Sequence, residues 1–262
     1  MSWDPGRTAA FFDEYAEREW TRFEDGRNSR ASLATHIRFL ERFIRGGERV
    51  LDAGCGPGRF TLELVRLGAE VTALDISPTQ LELLRGRVDS VECVVGDITD
   101  LSRFADGSFD VVVCFGGPLS YVGDRAEDAV GELARVTKRG GYVLVSVMST
   151  VGVVVHYATD LVNLARKDGT ERQLEIVRTG VLPEAPGYGH LAMRLYRWSE
   201  LESLLARHGS VVAGAAAGLL PTLQPEEPEL ADFVVEVEAL VCDDPGALSV
   251  GQHMLAALEV AA

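Results

Sequence analysis

Apolar residues follow two rhythms along the chain, helical spacing in some stretches and short unbroken runs in others, and the two alternate. From Thr8 to Arg45 the pattern is helical, with Leu33, Ile37, Leu40 and Ile44 on one face and Gly46-Gly47 ending it. Arg49-Val50-Leu51-Asp52-Ala53-Gly54 reads as a buried strand entering a Gly-rich turn, and Phe60 to Leu67 as a helix that stops at Gly68. The rhythm then repeats. Glu70 to Asp75 reads as a strand, Ser77-Pro78 opens a helix with proline in its first turn, and Val91 to Val95 and Phe109 to Phe115 read as further strands. A helix from about Arg125 to Lys138 leads through Gly140-Gly141 into the β-rich run Tyr142 to Met148. Strands alternating with helices over this length predict a parallel sheet covered on both faces.

Beyond Met148 the pattern changes. Residues 151–167 read as helical, and 171–196 hold two strand-like runs, Gln173 to Arg178 and Leu191 to Tyr196, flanking a Pro/Gly-rich loop in the manner of a hairpin insertion. Ser199 with Glu202 predicts a capping box for a helix Glu200 to His208, with Gly209 as its C-terminal cap. A strand Val211 to Leu220, a helix near Glu229 to Val241 and a closing strand His253 to Val260 complete the prediction. Neither an internal repeat nor a long linker divides the chain, so 1–262 is expected to form one domain.

Composition narrows the function. The 262 residues are 47% hydrophobic and 25% charged, enough for a substantial core. The formal charge of −15 disfavours nucleic acid and anionic membrane surfaces as partners. No uncharged apolar window approaches the roughly 20 residues a membrane span needs, and the four cysteines at 55, 93, 114 and 242 show no metal-ligand pair spacing. We therefore expect a cytoplasmic protein with reduced thiols, no metal and no membrane.

The candidate chemistry lies in Leu51-Asp52-Ala53-Gly54-Cys55-Gly56-Pro57-Gly58-Arg59-Phe60. Glycines at 54, 56 and 58 after a buried strand let the backbone pass close to a nucleotide-like ligand, and the next helix presents its N-terminal amides. A dinucleotide loop requires glycine where this chain has Arg59, and a pyrophosphate disfavours Asp52 just before the loop. A nicotinamide oxidoreductase is thereby opposed, and a phosphate-free ligand with a cationic amino-acid moiety suits the site better. Asp75 ends the second strand, where a carboxylate can accept from both ribose hydroxyls. Asp97, beside Ile98, ends the third, where it can accept from an exocyclic amine such as that of adenine.

These segments resemble the class I S-adenosylmethionine-dependent methyltransferases. Val50 to Gly58 is similar to the family's glycine-rich first motif, Val71 to Pro78 to its second strand with Asp75 in the ribose position and Ile76 in an apolar contact, and Val94 to Ile98 to its adenine-side motif. Phe109 to Gly117 resembles the fourth strand, whose end faces the transferable methyl, and Arg135 to Gly141 the approach to the fifth, with Arg139 where proline is common. The resemblance implies an α/β, Rossmann-like, seven-stranded and mostly parallel sheet with helices on both faces and the last strand antiparallel. It implies an N-terminal helical lid (1–45), a cofactor-binding core (46–150), a substrate-roof insertion after the fifth strand (151–198) and a completion of the sheet (199–262). It also implies S-adenosyl-L-methionine as cofactor, held by Asp52, Gly54, Cys55, Gly56, Gly58, Asp75, Ile76, Asp97, Ile98, Phe115 and Gly116, with Tyr15 and Trp20 folding over it from the lid.

A sulfonium already activates its methyl group, so such an enzyme mainly aligns an acceptor and excludes water. A general base helps where the acceptor is a hydroxyl or a protonated amine. His156 after the fifth strand, His190 ahead of the insertion's second strand-like run and Tyr121 in the loop after the fourth strand are the candidates, and Ser120 is a polar alternative to Tyr121. Tyr157 and Tyr188 are expected to pack the insertion, and Phe11, Phe12 and Phe23 to anchor the lid. The run Cys114-Phe115-Gly116-Gly117-Pro118 lacks the Asn/Asp-Pro-Pro-aromatic motif of nucleic-acid amino-methyltransferases, which leaves a small molecule as the expected acceptor and a monomer or homodimer as the expected assembly. The alternative is a non-catalytic S-adenosylmethionine-binding module of the same fold.

Overall fold

The computed structural model describes residues 1–21, 30–184 and 190–261. Phe23 and Tyr188 lie outside the described residues. The elements in chain order are α1 (Pro5–Tyr15), α2 (Arg18–Thr21), α3 (Arg30–Glu41), β1 (Arg49–Ala53), α4 (Arg59–Arg66), β2 (Glu70–Asp75), α5 (Pro78–Arg85), β3 (Glu92–Val95), β4 (Phe109–Cys114), α6 (Pro118–Tyr121), α7 (Ala126–Val136) and β5 (Thr137–Met148). They continue with α8 (Thr150–His156), α9 (Ala158–Asp168), α10 (Thr170–Thr179), β6 (Val181–Leu182), β7 (Met193–Arg194), α11 (Trp198–Leu205), β8 (Gly209–Ala217), α12 (Pro228–Val241) and β9 (His253–Val260).

Seven strands form one sheet in the order β3-β2-β1-β4-β5-β9-β8, with β1 to β5 parallel and β9 antiparallel to both β5 and β8. The apolar runs are unbroken because both faces are covered. Leu51, Val112, Val143, Val145 and Leu258 pack on one face, and Val50, Val111, Val113, Leu144 and Ala257 on the other. Since β9 runs backwards, its first residue, His253, pairs with Met148 at the end of β5. The segment entering β9 therefore lies at the same sheet edge as the ends of β1 to β5, where ligands bind in open α/β sheets.

The closing strand and the Rossmann-like order agree with the sequence expectation; several details differ. Among the described residues the N-terminal stretch holds three helices, with Ala16 at φ +46° ending the first. Residues 151–167 divide into α8 and α9 at Tyr157. Gln173 to Arg178 is helical, as part of α10, and not a strand. Gln173 and Ile176, three apart, share the buried face, whereas Leu174, which alternation would bury with Ile176, is 47% exposed. The hairpin is correspondingly small, Val181–Leu182 against Met193–Arg194. Helix α11 starts two residues earlier than the Ser199-Glu202 pattern predicts. Its cap is Arg197, whose backbone N–H donates to Glu200 Oε2 at 2.9 Å.

Candidate active site

A cleft opens at the carboxyl ends of the strands, lined at its base by Gly54, Cys55 and Gly56 after β1, Asp75 and Ile76 after β2, Gly96, Asp97 and Ile98 after β3, and Phe115 and Gly116 after β4. Sheet register makes this convergence. Leu74 C=O accepts from the N–H groups of Gly54 and Cys55 at 2.7 and 3.0 Å, which folds the first loop over the end of β2. Gly54 sits at φ +80°, and a side chain there would collide with the Pro118 ring, so the loop and the turn after β4 close together only with glycine at this position.

Asp75 is the fixed point. Its two carboxylate oxygens accept one backbone N–H each, from Gly56 and Ser77, both at 2.8 Å, and each retains acceptor capacity. Burial pushes its carboxyl up to about 6, against the lowering effect of those two N–H groups, and Glu19 adds a further raise. Asp97 Oδ1 accepts from Thr99 N–H and Asp97 Oδ2 from the Trp3 indole N–H, each at 2.8 Å. Asp75, Asp97 and Glu19 all line the cleft, and this acidic lining favours a ligand that carries positive charge.

The N-terminal segment packs on this cleft through other residues than expected. Trp3, Thr8, Phe12 and Glu19 line it; Tyr15 and Trp20 do not. Tyr15 stacks on Phe11, while Trp20 lies 3.6 Å from the Arg59 guanidinium and 4.2 Å from that of Arg87, and its C=O accepts from Arg59. Trp20 thus anchors α2 and sets its neighbour Glu19 into the cleft. The N-terminal segment is also tied to α5: Ser77 Oγ and Thr79 N–H donate to Asp13, and Gln80 Nε2 donates to Phe12 and Ala16 C=O. Asp52 and Gly58 are likewise off the cleft wall. Asp52 is buried beneath the loop, accepts from Thr61 Oγ1 at 2.6 Å, and is pushed by burial up to about 7, with the Asp75 charge adding to the rise. Trp3 is a residue that sequence reasoning missed, because a single aromatic ahead of the first helix carries no pattern.

A second, larger cavity of about 760 Å³ lies under the insertion. Its walls are mostly aliphatic, from Met148, Val153, Leu161, Ile176 and Leu195 among others, and His156 and His190 both line it. His156 ring Nε2 lies 2.8 Å from Val250 C=O and His190 Nδ1 2.9 Å from Leu191 C=O. A carbonyl only accepts, so each of those nitrogens carries the proton, and the other ring nitrogen of a neutral imidazole is left basic. Tyr121 stands between the two spaces. It lines the cleft, meets Phe12 edge-on at 5.5 Å, and packs against the Ile176, Met193 and Leu195 cluster that walls the cavity. Ser120, fully buried, accepts from Met148 N–H and is structural. The thiols of Cys55 and Cys114 are buried and unpaired, and burial pushes Cys114 up to about 12, far from a reactive thiolate.

The comparisons with known proteins agree with this geometry. A family model described as a methyltransferase domain matches residues 50–141. The demethylmenaquinone methyltransferase of Clavibacter sepedonicus is 32% identical over 216 residues, covering 78% of this chain and 81% of that protein. The magnesium-protoporphyrin O-methyltransferase of Rhodobacter capsulatus is 33% identical over 149 residues, a match covering 51% of this chain and 64% of that protein. Among solved structures, the magnesium protoporphyrin IX methyltransferase of Synechocystis PCC 6803 with bound S-adenosylhomocysteine has a TM-score of 0.64 at 13% identity, over 99% of this chain and 100% of that one, a likeness of fold.

Proposed function

Because the chain belongs to the class I S-adenosylmethionine-dependent methyltransferases and takes S-adenosylmethionine as its methyl donor, we propose that it methylates a small, largely apolar molecule held in the cavity under the insertion. The observation that carries this reading is the 760 Å³ aliphatic cavity, whose Ile176, Met193 and Leu195 wall packs against Tyr121 of the acidic cleft. A space of that size is in the range of small-molecule sites. The relatives' names, a demethylmenaquinone and a magnesium-protoporphyrin methyltransferase, support acceptors of this size class. The charge of −15 supports the same choice over nucleic acid.

The cleft residues fit the cofactor on their own chemistry. Asp75 offers a free lone pair on each oxygen to a ribose diol, Asp97 offers a carboxylate to the adenine amine beside Ile98, and Gly54 and Gly56 leave no side chain between the backbone and the ligand. Glu19 and Asp75 place negative charge where a cationic ligand gains from it. When bound, S-adenosylmethionine supplies a methyl group already activated by a sulfonium. What remains for the protein is to hold the acceptor, exclude water and take up a proton. In this reading Tyr121 positions the acceptor against the cleft, the aliphatic walls exclude water, and His156 Nδ1 takes the proton that a hydroxyl or ammonium acceptor gives up. His190 lines the insertion side of the cavity and is the second candidate base. The chain acts in the cytoplasm in this account, which its four cysteines outside disulfides support, as a monomer or homodimer.

The test is transfer of isotopically labelled methyl from S-adenosylmethionine to a panel holding apolar phenols and quinols, polar amines, and RNA. We expect label on apolar members only, and a drop of about a hundredfold in turnover for His156→Asn, the usual contribution of a general base. Label on RNA or on polar amines alone would overturn the acceptor assignment.

A further inference from the structure

Helix α12 buries one face and leaves an apolar stripe on the other. Val234 and Glu238, four apart, are its buried residues, and Glu238 accepts from Thr35 Oγ1 of α3 at 3.1 Å. On the outer side Leu230, Phe233, Val237, Leu240 and Val241 follow at helical spacing along one face. Phe233 is 62% and Leu240 81% exposed, and Leu230 and Val241 are exposed with them. The acids on the flank of the stripe are engaged by α3, where Arg30 pairs with Asp232 at 2.7 Å and Arg38 with Glu236. Large apolar side chains gathered in one stripe on a helix about 21 Å long mark an interaction surface, unlike leucines scattered singly.

The chemistry around the stripe selects its occupant. The formal charge of −15 and the exposed Glu226, Glu227 and Glu229 at the start of α12 disfavour an anionic membrane or a nucleic acid. A second copy of the chain fits in shape, charge and size. Turned antiparallel about Val237, each stripe sets Phe233 against Leu240 and Val241 of the other copy, so the same contact forms twice. Helix α3 lies along α12, with Arg30 at Asp232 and, just past the end of α3, Arg42 close to Cys242. Arg42 is exposed and, among the described residues, pairs with no acid. The antiparallel arrangement carries it over the Glu226 to Glu229 run of the second copy. Asp243 and Asp244 share that end of the helix, so this contact sets the register while the apolar centre supplies the affinity. A stable pair takes about 800 Å² from each partner, a patch roughly 30 Å across, of which the stripe spans about 21 Å and the α3 arginines with residues 223–229 form the rim.

We propose that the protein is a twofold homodimer joined through α12, with Phe233 and Leu240 as its anchors and Arg42 facing Glu229 of the second copy across the rim. None of the stripe residues lines the cleft or the cavity under the insertion. The dimer therefore stands or falls separately from the acceptor assignment.

The test is the mass of the full chain in solution, by sedimentation equilibrium and by light scattering after size exclusion. Wild type is expected to weigh twice the 28.3 kDa chain. Phe233→Glu combined with Leu240→Glu should weigh one chain up to about 100 µM, because each lost anchor counts twice in a twofold interface. Both side chains are exposed, so the substitutions are tolerated by the fold, and unchanged S-adenosylhomocysteine affinity reports that the variant is folded. Arg42→Glu should raise the dimer Kd by about tenfold, since two symmetric attractions become repulsions, and adding Glu229→Arg should restore it. A wild type that weighs one chain at about 100 µM, or a dimer that persists in the Phe233→Glu, Leu240→Glu variant, overturns the proposal. Failure of Glu229→Arg to restore the Arg42→Glu dimer overturns the antiparallel arrangement.

Discussion

Replacing Asp75 with asparagine should separate binding from stability in opposite directions. The carboxylate is 7% exposed, and burial raises its pKa from 3.8 to about 6. At about 1.4 kcal/mol per unit, keeping it ionised at neutral pH costs the folded state about 3 kcal/mol. Asparagine removes that cost but has one acceptor oxygen for the two N–H groups of Gly56 and Ser77, a loss of about 1–2 kcal/mol. The ligand-free variant should therefore be as stable as wild type, or more so by about 1–2 kcal/mol, at pH 7.5. Cofactor binding should fall steeply. Two charge-assisted hydrogen bonds to a ribose diol, at about 1.5 kcal/mol or more each, correspond to a rise in Kd of about a hundredfold or more. The sign of the pH dependence follows from the same shift. A folded carboxyl that titrates near 6 against 3.8 unfolded binds more protons when folded, so ligand-free stability declines as pH rises from about 4 to about 7. Asp52, pushed up to about 7, acts in the same sense. Cofactor affinity runs the other way and strengthens as pH rises through about 6, because the ionised carboxylate is the stronger acceptor. Urea unfolding and calorimetric titration between pH 5 and 8 measure both. A variant that binds S-adenosylhomocysteine like wild type, or that loses several kcal/mol of stability, would refute the reasoning.

Three further outcomes follow from contacts in and beyond the cleft. Trp3→Phe frees a lone pair on Asp97 Oδ2 that the indole now occupies, so S-adenosylhomocysteine should bind about fivefold tighter by calorimetry, the effect of one hydrogen bond of about 1 kcal/mol; weaker binding would contradict this competition for Asp97. Gly54→Ala combines a φ of +80° with a collision against Pro118, and should lower stability by about 2–4 kcal/mol in urea and reduce cofactor affinity together; an unchanged urea midpoint would contradict the packing. Glu238→Ala should cost about 3 kcal/mol or more, since the fully buried carboxylate accepts from the N–H groups of Gly218, Leu219 and Leu220 and from Thr35 Oγ1. Thermal unfolding checks this, and a shift under about a degree would show those donors satisfied elsewhere.

What could be read from the sequence was local, and what could not was made by contacts between distant segments. Asp75 and Asp97 were legible because each follows a run of strand residues in a repeating unit, so their shared edge is implied by the repeat. Asp52 carries the same acidic signal but sits one residue before the end of β1 and turns under the loop to Thr61. Which aromatics of the N-terminal segment line the cleft could not be read, since a helix broken at Ala16 has no single periodicity, and Trp3 and Phe12 line it where Tyr15 and Trp20 do not. Gln173 to Arg178 read as a strand because Ile176 and Val177 are β-branched, yet the burial of Gln173 and Ile176 on one helical face overrides that preference.

The most direct test of the account is a crystal structure of the protein with S-adenosylhomocysteine. The account predicts the ribose on Asp75, the adenine amine at Asp97, and the sulfur directed past Tyr121 toward the 760 Å³ cavity. A sulfur atom directed away from Tyr121, or ligand lying in the larger cavity with Asp75 untouched, would contradict it.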